Sequence, residues 1–171
     1  MDVTAAASSA PALSATRTQQ YLSFQLAGQI YGVPILQVQE IRGWEKPTRL
    51  PHSPPYVQGV INLRGAVVPI LDLRQRFGLG EAEYGRTTVV IVVKVGSARG
   101  EVTAGMVVDA VCEVCQINEQ DLRPAPHLGS GVDADFVRGL GMVADAMLVL
   151  LDVEQLVTRA LSIAAAAPQA A

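Results

Sequence analysis

The residues best suited to chemistry are two cysteines, Cys112 and Cys115, and two histidines in proline-rich stretches, His52 and His127. A C-x-x-C is the spacing of dithiol redox centres and of half a zinc site. Redox pairs open a helix after a strand, whereas VCEVCQI reads as strand throughout, and in a strand residues three apart point to opposite faces. A four-ligand zinc site would need every Cys and His of the chain, drawn from separate contexts. Neither histidine has a nucleophile elbow, an adjacent carboxylate or a cysteine beside it, so solvated loop positions are the plainer reading. The glycines of FGLGE and RGLGM form no G-x-G-x-x-G between a strand and a long helix. No catalytic residue, metal or cofactor is therefore expected.

What folding alone leaves unexplained is a set of polar residues in apolar surroundings. Glu40 sits in VQEIRG, and Asn62 and Arg64 in GVINLRGAVVPILDLR, flanked by Gly59 and Gly65. Arg64 reads equally well as a solvated hairpin tip or as a group projected from a rigid turn into a concave binding surface. The residues leave both open.

The 171 residues are half hydrophobic, 17% charged and 5% aromatic, with a formal net charge of −3. That suits one domain, or two small ones sharing a core. An acidic chain lacks the footprint of phosphate-backbone binding, which argues against nucleic acid. Two cysteines are too few for a disulfide framework. The N-terminus carries Asp2 where a secretory leader would carry Lys or Arg, and residues 1–19 read as a disordered lead-in. The most apolar stretches, Val89 to Val95 and Ala146 to Leu151, are far short of the roughly 20 residues that span a bilayer. A cytoplasmic protein without direct membrane insertion is expected.

Between residues 20 and 152, β-branched apolar runs broken by Gly and Pro predict ten short strands: 21–26, 29–33, 38–44, 57–63, 66–71, 87–95, 101–107, 110–116, 136–143 and 147–151. VVPIL, VVIVV and MLVLL are apolar at every position, so both faces should be covered, as where two sheets share one core. One helix is expected after Asp152, and a turn of helix over Asp72 to Phe77 stopped by Gly78. The residues from Gly59 overlie those from Gly139, with Ala66/Ala146, Leu71/Leu151, Asp72/Asp152 and Gln75/Gln155 coinciding. Upstream, Gly32/Gly105, Val38/Val111 and Glu40/Glu113 coincide at a slightly smaller offset. This reads as duplication of a five-strand unit, hence an all-β fold of two similar barrels packed face to face.

These same residues carry a resemblance. YGVPILQVQEIRG, GVINLRGAVVPILDLRQRFG, TVVIVV, GMVVDAV, LRPAP and GLGMV…MLVLLDVEQL resemble the CheW family of chemotaxis coupling proteins, from about Tyr21 to Leu156. The resemblance implies two five-stranded β-barrel subdomains around a shared hydrophobic core, with a C-terminal helix. The implied CheW-like domain is 20–162, with a first subdomain of about 20–66 plus 145–162, a second of about 67–144, and a flexible tail at 163–171. It implies a non-enzymatic adaptor, recruited to membrane receptor arrays, that binds the cytoplasmic tip of methyl-accepting chemoreceptors and the CheW-like regulatory domain of the kinase CheA. By resemblance the receptor groove maps to Val38, Glu40, Gly59, Asn62, Arg64, Val89, Gly105 and Val111, and kinase contacts to Arg123 and Leu128. Two alternatives stand beside it: the same adaptor in a non-flagellar pathway controlling surface motility or development, and a thiol oxidoreductase using Cys112 and Cys115.

Overall fold

The computed structural model describes residues 17–80, 84–97, 100–124 and 136–166. The chain runs β1 (Thr18–Leu26), β2 (Gln29–Pro34), a 3-10 turn (Ile35–Gln37), β3 (Val38–Gly43), β4 (Val57–Leu63), β5 (Ala66–Asp72) and a short helix α1 (Leu73–Arg76). It continues with β6 (Val89–Ser97), β7 (Gly100–Val108), β8 (Ala110–Asn118), a 3-10 turn (Glu119–Asp121), β9 (Val137–Val143), β10 (Ala146–Leu151) and helix α2 (Val153–Ala166). All ten predicted strands are present. β1 begins inside the expected lead-in, and α2 extends past the boundary expected for the tail.

The strands form two five-stranded sheets, the first in the order β8-β1-β2-β10-β9 and the second in the order β3-β6-β7-β5-β4. If β1–β5 are laid on β6–β10 in sequence, the two orders become identical, which is what a duplicated unit predicts. Each sheet, however, takes two strands from one half of the chain and three from the other. This corrects the subdomain boundaries: β3 and β4 pair with β6 and β5, while β8 and β9 pair with β1 and β10. The short connections explain the exchange. One residue, Asp109, separates β7 from β8, too few for the two-residue hairpin that would keep them in one sheet. The chain must therefore turn a corner into the other layer. Asp109 fixes that corner, its N–H donating to Gln25 O at 3.0 Å and its Oδ2 accepting the Ala27 N–H at 2.9 Å.

Neither sheet closes through a continuous ladder. In the second, the Thr48–Val60 bridge ties the segment after β3 to β4; in the first, Arg123–Leu140 does the same for β8 and β9. Repetition extends to the helix starts. Asp72 N–H donates to Tyr56 O at 2.7 Å and Asp152 N–H to Phe136 O at 2.8 Å, and both aspartates cap their helices.

Apolar residues divide into three layers, which explains the runs that lack alternation. In β6, Ile91, Val93 and Val95 enter the central core between the sheets, whereas Val90 and Val92 line the inside of the second sheet with Ile61, Val68 and Ile70. In β10, Leu151 joins the central core, while Leu148 and Leu150 line the inside of the first sheet with Tyr21, Cys115 and Ile117. The central core also receives Phe24, Tyr31 and Val33 from one layer, Met106 and Val108 from the other, and Val153, Leu156, Val157 and Ala160 from α2.

The paired caps generate a test. Asp152 caps α2 near the surface, whereas Asp72 is buried and also accepts the Tyr84 hydroxyl at 2.7 Å. Asp152→Ala should cost about 1 kcal/mol, the usual value of a cap. Asp72→Ala should cost about 2–4 kcal/mol, because it also leaves a half-buried phenol unpaired. Equal denaturation midpoints for the two variants would show that the Tyr84 bond adds nothing.

Candidate functional site

The most developed polar site lies where the edges of the second sheet approach each other. Along β3 the ladder to β6 shifts register, so that Val38 lies opposite Val93 but Glu40 opposite Val92. This bulge sets Glu40 and Arg42 on the face of Val92 and Val90, at the open edge of the sheet's interior. From the far edge comes the β4–β5 turn, in which Arg64 has φ 51° and Gly65 φ 88°. A two-residue turn of this type needs left-handed backbone at both positions, costing a non-glycine residue roughly 1–2 kcal/mol. Asn62 holds the turn, its Oδ1 accepting the Gly65 N–H at 2.8 Å.

So placed, the Arg64 guanidinium meets Glu40 Oε2 at 2.7 Å. Arg42 flanks the other carboxylate oxygen at 3.3 Å and reaches Glu45 at 3.7 Å. The Arg64 hydrogen bond holds the Glu40 carboxyl below its ordinary range; desolvation opposes this and Arg42 assists it. Glu40 retains 19% exposure and Arg64 71%, so the carboxylate is sheltered while the guanidinium faces solvent.

The other residues mapped to the receptor groove separate into kinds. Val38, Val89 and Val111 are all partly buried against the central core, Val111 from the first sheet and the other two from the second. Gly59 and Gly105 are buried and structural. Gly59 has φ 142°, and a Cβ there would run into the Thr48 carbonyl across the closing bridge; a Cβ on Gly105 would lie 2.7 Å from both Ile70 and Val90. Arg123 forms the closing bridge of the first sheet through its backbone and exposes its side chain, while Leu128 and His127 lie outside the described residues.

The cysteines are free. They lie on β8 as expected, but a bulge opposite Ser23 alters the geometry: Leu22 pairs with Val114 and Phe24 with Val111, leaving Cys112 and Glu113 together across from one residue. Both cysteines consequently line one cavity, correcting the opposite-face expectation. Cys112 is exposed and Cys115 buried. Burial, then the charge of Glu113, pushes the Cys115 thiol up, away from the thiolate that redox exchange requires.

Some residues escaped the sequence reading. Arg42, two positions from Glu40 on the same face of a strand, could have been found from that spacing. Trp44 stacks on Tyr84 with ring centroids 4.4 Å apart and an interplanar angle of 6°, covering the second sheet's interior. Leu36, 97% exposed, projects from the turn that leads to Val38. No periodicity marks a single residue in a three-residue turn.

The CheW-like domain pattern matches residues 20–161. The chain belongs to the CheW-like family. It is 40% identical over 140 residues to the chemotaxis protein CheW of Klebsiella aerogenes, covering 82% of each chain. It is 33% identical over 129 residues to protein FrzA of Myxococcus xanthus, covering 75% of this chain and 78% of that one. The crystal structure of scaffolding protein TtCheW from Thermoanaerobacter tengcongensis superposes with a TM-score of 0.74 at 32% identity, covering 82% of this chain and 88% of that one. CheW-like proteins are adaptors and scaffolds of chemotaxis signalling without catalytic activity. Among the described residues, no helix is long and apolar enough to cross a membrane.

Two outcomes follow from this CheW-like site. A carboxyl with a lowered folded pKa contributes stability above its ordinary range that is lost as pH falls through the lowered value. In Arg64→Gln the Glu40 carboxyl, followed by NMR, should therefore titrate at a higher pH than in the native chain; an unmoved titration would show that the pair does not form in solution. Gly59→Ala should cost about 3 kcal/mol or more, through strained backbone and collision with Thr48. A near-native denaturation midpoint would refute the close approach.

Proposed function

We propose that this chain couples methyl-accepting chemoreceptors to the histidine kinase CheA, as a cytoplasmic protein recruited to membrane receptor arrays. Membership of the CheW-like family supports the adaptor role. The observation that carries the finer reading is the Glu40–Arg64 pair: an exposed guanidinium held in a fixed direction by a sheltered carboxylate, on a turn whose backbone is itself constrained. Arginine held in this way pays little ordering entropy on binding and is enriched among residues that dominate interfaces.

In this reading the receptor tip, a helical hairpin, lays an apolar face along Val38, Val89 and Val111 with Arg64 as polar anchor. Exposed Leu36 extends the apolar contact, while Asn62, Gly59 and Gly105 hold the surface in shape. The kinase's CheW-like regulatory domain is met by the first sheet's edge at Arg123, with Leu128 as the further contact that the resemblance implies. A second reading keeps the adaptor chemistry and changes the pathway, to a non-flagellar system controlling surface motility or development. Similarity to a relative bearing the separate name FrzA favours keeping it.

The deciding variant is Arg64→Glu. A solvated tip would make it nearly neutral, within about 0.5 kcal/mol. An anchor should lose about 2 kcal/mol or more of affinity for the receptor tip, roughly thirty-fold in Kd. Affinity for CheA should survive, since Arg123 lies on the other sheet. Unchanged receptor affinity in the folded variant removes Arg64 from the site, and loss of both partners together would point to misfolding.

A further inference from the structure

Because the sheets repeat one plan, the Glu40–Arg64 site has a counterpart in the first sheet. Cys112 and Glu113 bulge opposite Ser23 as Gln39 and Glu40 bulge opposite Val92. The β9–β10 turn, with Ala144 at φ 50° and Asp145 at φ 66°, repeats the left-handed turn of Arg64 and Gly65. Glu113 thus stands where Glu40 stands, Ala144 replaces Arg64, and Cys115 replaces Arg42. The carboxylate is present in both sheets, but neither arginine has a counterpart in the first.

The volume they would fill is open. A cavity of about 150 Å³ lies there, with Ser23, Cys112, Glu113, Ala144 and Met147 on its walls. On β8, Glu113 falls on the same side as Cys115 and Ile117 but is exposed, at the mouth of the cavity, and among the described residues it has no ion-pair partner. A cavity of this size accepts a molecule as large as benzene, so a guanidinium fits.

We propose that this cavity is a socket for an arginine side chain of a protein partner, seated on Glu113 as Arg64 is seated on Glu40. The guanidinium would donate charge-assisted hydrogen bonds to the carboxylate. The surroundings favour a protein over a free cation. Ile30, Val143, Leu148 and the half-exposed Met147 also line the cavity, an apolar wall that an arginine stem would cover.

The test uses the purified chain alone, so its outcome is independent of the receptor reading. N-acetyl-arginine amide is titrated and followed by NMR, with the neutral isostere N-acetyl-citrulline amide and the free polyamine spermidine as comparisons. Saturable shifts at Ser23, Cys112, Glu113 and Met147 are expected with the arginine derivative. Binding should be about tenfold or more weaker with citrulline and in Glu113→Gln, the size expected when a hydrogen bond to a charged group is lost. Ala144→Arg should abolish it, because its own guanidinium fills the socket from a backbone conformation that Arg64 already tolerates. The proposal is overturned by the absence of saturable shifts, by equal binding of citrulline, by undiminished binding in folded Glu113→Gln or Ala144→Arg, or by tighter binding of spermidine, which would make this a site for free cations.

Discussion

The structure depends on one apolar layer that both sheets must cover at once. Strands such as β6 place alternate residues in that layer and in the interior of their own sheet, so Ile91 and Val93 face one cluster while Val90 and Val92 face another. At about 25 cal/mol per Å² of apolar area removed from water, a strand buried on both faces contributes about twice what a half-exposed one does. That is how a chain with only 5% aromatic residues sustains a core. It also explains the exchange of strands: the corner at Asp109 and the turn at Ile35–Gln37 carry the chain from one wall of this layer to the other. Neither sheet is made from one half of the sequence, so neither half folds into a complete layer without the other.

A molecule whose central strands are committed on both faces has little surface left for recognition except edges and hairpin tips. That is where the polar residues lie. The Glu40–Arg64 pair spans the two edge strands of the second sheet, and the Thr48–Val60 bridge reinforces the same seam. In the proposed reading, stability and recognition are coupled there. In that reading Gly59 acts on a partner's affinity without touching the partner, because Thr48 approaches the glycine backbone where the seam closes.

The strands were legible in the sequence because β-branched runs between glycines and prolines have few other ways to fold, and Asp72 and Asp152 marked both helix starts by their position after such a run. The repeat was legible too. What the repeat could not disclose was pairing: the offset that aligns β3 with β8 says they are equivalent, and equivalence leaves open whether each pairs within its own half or across to the other. Pairing is decided by connection length and by packing, and a single residue between β7 and β8 settles it only once β7 is known to end at Val108. At the site, Glu40 and Arg64 were visible as charges in apolar surroundings, but the bulge that turns Glu40 toward Arg64 has no signature in composition. The Cys112–Cys115 spacing misled for the same reason, since strict alternation assumes a strand without an inserted residue.

The same bulges bear on how the two halves diverged. A bulge and a left-handed turn are set by the backbone, and both occur in each sheet while the side chains they aim differ. Arginine is retained at one turn and alanine stands at the other, at nearly the same φ. With Ala144 where the second sheet has Arg64, Glu113 is a carboxylate facing a cavity with no arginine to offset its desolvation. Exposure at the cavity mouth keeps that cost small, which makes an open carboxylate tolerable, and a tolerable open carboxylate aimed by a rigid bulge is the complement of what the other sheet presents. One sheet offers a guanidinium on a tip, and the other an anionic recess. If the scaffold joins unlike partners, as proposed, such asymmetry is required, because two identical edges on a pseudo-symmetric molecule would recruit the same partner twice.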